Sequence, residues 1–116
     1  MNYVLEACAM IAFLRGEPGK DVVRETLRDP SNHCFAHAIN FCEVYYNFVR
    51  TADTRTARAA LRDLSAVGIA GRRDMGRSFW MEVGRLKGTI QKISLADCVA
   101  IALPHSGQRS GVARRS

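Results

Sequence analysis

The chain has 116 residues, 17 basic against 11 acidic, and an apolar share of 47%. That length suits one domain, and the balance of apolar and charged residues excludes a disordered chain. No apolar run reaches the roughly 18 residues of a membrane span, and the apolar start carries Glu6 with no basic stretch ahead of it, which makes a poor signal peptide and points to the cytoplasm.

Residues 2–5 read as a short strand, and Met10 to Leu14 as a helix stopped by Gly16 and Pro18. Residues 19–29 resume as a helix with Val22, Val23 and Leu27 on one side. After the break Pro30-Ser31-Asn32, residues His33 to Ala38 suit a second strand. The segment 39–51 is almost wholly apolar, and Ile39, Cys42, Tyr45, Tyr46 and Val49 recur at helical spacing, which predicts a buried helix. Residues 54–67 form an amphipathic helix with Ala57, Ala60, Leu61, Leu64 and Val67 inward, ended by Gly68. A brief strand follows at 68–70, then a helix marked by Met75, Phe79, Val83 and Leu86. Ser94 opens a last helix with Leu95, Cys98, Val99, Ala102 and Leu103 inward, and Pro104 breaks it. Strands that alternate with helices favour a parallel sheet whose ligands collect at the carboxyl ends of the strands, and Glu6 directly follows the first strand.

Cys8, Cys34, Cys42 and Cys98 have no C-x-x-C spacing and are expected as reduced, mostly buried thiols. The His33-Cys34-His37 cluster lacks a second group of ligands, so a zinc site is not expected there. Tyr3, Tyr45, Tyr46, Phe48 and Trp80 are read as core, the alternative being a partner surface.

Three acids stand in apolar contexts: Glu6, Glu43 and Asp97. A buried carboxylate is costly unless paired or bound to a metal, and three of them at one sheet edge would suit Mg²⁺ or Mn²⁺. Each also has a structural role open to it. Asp97 follows Ser94 by three residues, as in a capping box. Glu43 can pair with Arg50, and Glu6 can favour the helix start that follows it. Asn40 and Asn47 flank Glu43 by about a turn and could orient it, although Asn40 could equally be an N-cap. Arg15, Arg50 and Lys87 are candidate phosphate contacts, with solvated surface charge as the alternative.

Three stretches in order, YVLEACAMIAFLRGEPG, AHAINFCEVYYNFVR and ISLADCVAIAL, resemble the PIN-domain family and most closely its VapC-like toxin ribonucleases. The resemblance covers residues 2–103. It implies a three-layer α/β/α sandwich around a short parallel sheet of four or five strands. It also implies a Mg²⁺- or Mn²⁺-dependent endoribonuclease hydrolysing RNA phosphodiesters, with Glu6, Glu43 and Asp97 as its catalytic and metal-holding residues. A homodimer and a cognate antitoxin protein are the partners it implies.

The chain departs from the family pattern at three places. Glu6 stands where the family has Asp, and Cys8 where it has a small hydroxyl residue. After Leu103 the expected strand with its acidic T-x-D-like motif is missing. Residues 104–116 contain Arg109, Arg114 and Arg115 and no acid, and are expected as a divergent, disordered basic tail beside a PIN-like domain of residues 1–103. These departures predict reduced activity. The alternative is a catalytically degenerate PIN-fold module that pairs with an antitoxin or with itself.

Overall fold

In a computed structural model of the chain, residues 1–103 are described. The expected tail, residues 104–116, lies outside them, as does the place of the C-terminal strand expected to be lost. The elements are β1 (Asn2–Val4), α1 (Ala7–Arg15), α2 (Lys20–Arg28), β2 (His33–His37), α3 (Ala38–Thr51), α4 (Thr54–Ala66), β3 (Ile69–Arg72), α5 (Arg77–Thr89) and α6 (Leu95–Ala102). The described sheet has three parallel strands in the order β1-β2-β3, with Tyr3 opposite Cys34 and Cys34 opposite Ile69. Among the described residues no helix is long and apolar enough to cross a membrane.

Helices cover both faces of the sheet, and the strand period of two decides which residues meet which layer. Tyr3, Leu5, Cys34, Ala36 and Ile69 face a core completed by Met10, Val23, Val44, Phe48, Ala57, Ala60 and Leu64. That layer is α1 to α4. On the opposite face Val4 packs with Phe79, Ala100 and Leu103, next to a cluster of Val83, Leu86, Cys98 and Val99. That layer is α5 and α6. The fold is therefore the expected α/β/α sandwich with a short parallel sheet.

Local chemistry sets the boundaries. Gly16 ends α1 with φ 67°, a left-handed conformation that glycine adopts without a Cβ clash, and its N–H closes on the carbonyls of Ala12 and Phe13. Asp53 caps α4 by accepting from the Thr56 N–H at 2.7 Å, and hydrogen bonding from the Thr56 backbone and side chain holds its carboxyl below the usual range. α3 begins with a histidine cap. His37 Nδ1 accepts from the Ile39 N–H at 3.0 Å, so Nε2 carries the proton and donates to the Asp74 carbonyl at 2.7 Å. The ring also stacks on Phe79, with centroids 5.3 Å apart.

Several side chains lie opposite to the sequence expectation. α3 buries Asn40, Val44 and Phe48, whereas Ile39, Cys42, Tyr46 and Val49 are exposed. A helix apolar on nearly all sides gives no unique inward stripe, and the sheet and α1 selected the face whose side chains they could enclose. Val22, Val67, Met75 and Leu95 are also exposed, each at or outside a helix end or beside the contact line. Cys34 and Cys98 are buried, but Cys8 and Cys42 are exposed. Among the aromatic residues, Phe48 is core and Tyr3 and Tyr45 pack against it, while Tyr46 and Trp80 face solvent.

Leu64 and Val67 both belong to the apolar pattern of α4, yet only Leu64 is enclosed. Leu64→Ala is expected to reduce unfolding free energy by about 2–5 kcal/mol, against less than about 0.5 kcal/mol for Val67→Ala. Urea unfolding midpoints check the difference.

Candidate active site

The carboxyl ends of the strands deliver the acids. Glu6 follows β1 and is the N-cap residue of α1, with its side chain 6% exposed. β2 runs directly into α3, which carries Asn40 and Glu43 one turn apart. Asp97 stands in the first turn of α6, where the Ser94 hydroxyl accepts its backbone N–H at 3.0 Å. The expected Ser94 cap is thus present, and it leaves the Asp97 carboxylate partly exposed.

Asn40 joins these three places. Its side chain is fully buried. Oδ1 accepts from the Ala7 N–H at 3.0 Å, and the amide nitrogen donates to the Ala96 carbonyl at 3.3 Å. Ala7 is the residue after Glu6, and Ala96 the residue before Asp97. One amide on α3 therefore fixes the start of α1 against the start of α6, with Glu43 a turn further along its own helix. Asn40 is not an N-cap; His37 has that role.

The electrostatics place Glu43 near Asp97. Burial raises the Glu43 carboxyl above its usual range, and the negative charge of Asp97 raises it further. No cation pairs with Glu43 among the described residues, and Arg50 lies instead over the Tyr46 ring at 5.8 Å. The three carboxylates do not close into a ligand cluster: no three His, Cys, Asp or Glu side chains among the described residues converge closely enough to hold an ion as they stand. The Asn40 hydrogen bonds tie together the backbone beside Glu6 and Asp97, and Asp97 acts on Glu43 as a like charge. Repulsion opposes a tighter cluster, and the N-terminal end of α1 already favours the negative charge of Glu6.

Other sequence candidates have structural partners. Arg15 donates to Asn47 Oδ1 at 2.9 Å and Thr51 Oγ1 at 2.7 Å, and lies 4.5 Å from the Phe48 ring centroid. It links α1 to α3, and Asn47 serves that link instead of orienting Glu43. Lys87 donates to the carbonyls of Gln91 and Ile93, closing the α5–α6 connection. The sequence reading passed over Arg73 and Arg77, which follow β3 at the same carboxyl edge as Glu6 and Asn40. Their signal was positional: each follows the end of a strand that was read too short.

The sequence model of the PIN-domain family matches residues 3–107. The chain belongs to the PIN-domain family. PIN domains are in general nucleases that typically use divalent metals, and the fold here is a nuclease fold. No curated protein matches the chain.

Asn40→Ala strands the buried Ala7 N–H and removes the second partner of the Ala96 carbonyl, which still accepts within α6. It is expected to lower unfolding free energy by about 1–3 kcal/mol, measured by chemical denaturation. Glu43 makes the opposite prediction. Its raised carboxyl means that the folded state keeps the proton to higher pH than the unfolded chain does. Its contribution is complete at low pH and is lost as pH rises through the folded value. Glu43→Gln is neutral at every pH, so it should unfold at a higher temperature than the parent at about pH 7.5, with the gap closing near pH 4. Thermal melts at the two pH values test this.

Proposed function

We propose that the chain is a Mg²⁺- or Mn²⁺-dependent endoribonuclease of the VapC toxin type, with Glu6, Glu43 and Asp97 holding the ion and an RNA phosphodiester as substrate. The observation that supports it best is the Asn40 clamp, which ties the residues beside Glu6 and Asp97 to the helix that carries Glu43. The donor chemistry suits the ion. Carboxylate oxygens are hard ligands, and a dication beside Asp97 would offset both the burial and the Asp97 repulsion that raise Glu43. A divalent cation held there supplies charge neutralisation at the phosphate and acidifies water. The chain's own part would be to hold the three backbone positions, leaving the carboxylate side chains to close on the ion.

In this reading residues 1–103 form the PIN unit and 104–116 a separate basic tail, and the protein works in the cytoplasm. Its partners are a cognate antitoxin and a second copy of the chain. The exposed stripe Ile39, Cys42, Tyr46 and Val49 on α3 is the surface that such partners fit. The same stripe, with the burial of Glu6 in place of a shorter Asp, favours a second reading: a catalytically degenerate module that binds an antitoxin or itself.

The expected outcome is slow RNA cleavage that needs Mn²⁺ or Mg²⁺ and drops by on the order of a hundredfold in Glu43→Gln and Asp97→Asn. Calorimetric titration with Mn²⁺ should lose its heat in both variants. Glu6→Asp should increase cleavage if the extra methylene holds the carboxylate out of place. Metal-independent cleavage that is equal in parent and variants removes the nuclease reading. Titration of Mn²⁺ without heat in the parent favours the binding module.

A further inference from the structure

The corner between β3 and α5 bears a cluster that the carboxylate chemistry does not use. Residues 71–80 read GRRDMGRSFW. Arg72 holds both oxygens of Asp74, at 3.1 and 2.9 Å, and lies over the Phe35 ring. The Arg72 bonds keep the Asp74 carboxyl below its usual range, so this acid is ionised and matched. The two further guanidinium groups of the segment, Arg73 and Arg77, are exposed and have no ion pair among the described residues. The corner thus keeps an excess of positive charge.

Next to this charge stands an aromatic ring. Trp80 is 51% exposed, which is unusual for the largest apolar side chain. Arg77 and Trp80 are three residues apart on α5 and share one helix face, while Phe79, Val83 and Leu86 take the inner face. Met81 extends the outer face and is also exposed. Guanidinium groups followed by an open aromatic face are what a flexible polynucleotide strand requires: phosphates meet the charges, and a base stacks on the ring.

The corner is fixed in relation to the acids. His37 donates to the Asp74 carbonyl and stacks on Phe79, and the same ring caps α3. β3 lies one strand from β2 and two from β1, so its end is roughly 10 Å from that of β1, on one edge of the sheet. A strand with its scissile phosphate near Glu43 and Asp97 can extend over Arg73 and Arg77 to Trp80.

We infer that Arg73, Arg77 and Trp80 form a track for single-stranded RNA that leads away from the carboxylates. The track rests on the nuclease reading for its direction, but not for its existence. Arginine, methionine and tryptophan are also common in protein interfaces. The unmatched charge at the active edge favours RNA.

Trp80 is the only tryptophan of the chain, so its fluorescence reports the track alone. The full-length protein is titrated with a short single-stranded oligoribonucleotide in EDTA, which prevents metal-dependent cleavage. Emission from Trp80 should be quenched as the RNA binds. Anisotropy of the labelled RNA should show binding weakened roughly 5- to 150-fold in Trp80→Ala, with partial recovery in Trp80→Phe. Arg73→Gln and Arg77→Gln should each flatten the slope of log affinity against log salt by about 0.7. If RNA binds without quenching, and Trp80→Ala binds like the parent, the track is overturned while the nuclease reading stands. If Trp80→Ala weakens binding but cleavage is indifferent to Glu43→Gln and Asp97→Asn, the track stands and the nuclease reading falls. If RNA does not bind and Trp80 emission shifts with protein concentration instead, the corner is a protein-docking surface and the track is overturned.

Discussion

One buried amide organises the acidic edge of this protein. Asn40 has a single side chain with which to satisfy an N–H at the start of α1 and to bind a carbonyl at the start of α6. The Ala7 N–H has neither an intrahelical partner nor water in the interior, so it is bound here or costs stability, while the Ala96 carbonyl, already an acceptor within α6, takes the amide as a second partner. The pair of hydrogen bonds therefore does more than add two small favourable terms. It makes the relative placement of three helices a condition of polar satisfaction. Glu6, Glu43 and Asp97 inherit their positions from that condition, and the repulsion between the last two is sustained by packing that has no easy way to relax.

A second polar device acts at the neighbouring strand. His37 ends β2, begins α3 and holds the segment after β3 by its other nitrogen. Phe79 adds an aromatic contact to the same ring and belongs to the core on the α5–α6 side of the sheet. The two sheet faces are thus coupled at one strand terminus. The histidine acts as a joint: a small heteroaromatic ring with two directed nitrogens can serve a helix cap and a loop at the same time, which an apolar residue of equal size cannot do.

Much of the fold could be read before any coordinates. Gly16, Gly68 and Ser94 punctuate the helices, and the repeated spacing in residues 54–67 fixed an inward face correctly for Ala57, Ala60 and Leu64. The α3 segment was harder, because periodicity locates a face only when the opposite face is polar. Ile39, Cys42, Tyr46 and Val49 satisfy helical spacing as well as Val44 and Phe48 do, and the choice was made by tertiary packing. Leu95 failed for a related reason: it opens its helix, where the chain has not yet turned into the core. At the site, the residue types and the family resemblance named the acids, but no spacing between positions 6, 43 and 97 could show that they share a clamp. Asn40 stands out in the sequence only as a residue about a turn from Glu43, able to orient it or to cap the helix. Its partners are backbone atoms 33 and 56 residues away, which carry no side-chain signal.

Arg15 completes the picture of α1. Asn40 holds the first residue of that helix, while Arg15, its last, reaches Asn47 and Thr51 further along α3. The two helices therefore run alongside each other in the same direction, fastened at both ends over roughly 12 Å. A brace tied at a single point can swing; one tied at two cannot. Sliding or tilting of α1 would have to break neutral and charged fastenings together, so the loop that bears Glu6 gains its steadiness from a guanidinium at the far end of the helix.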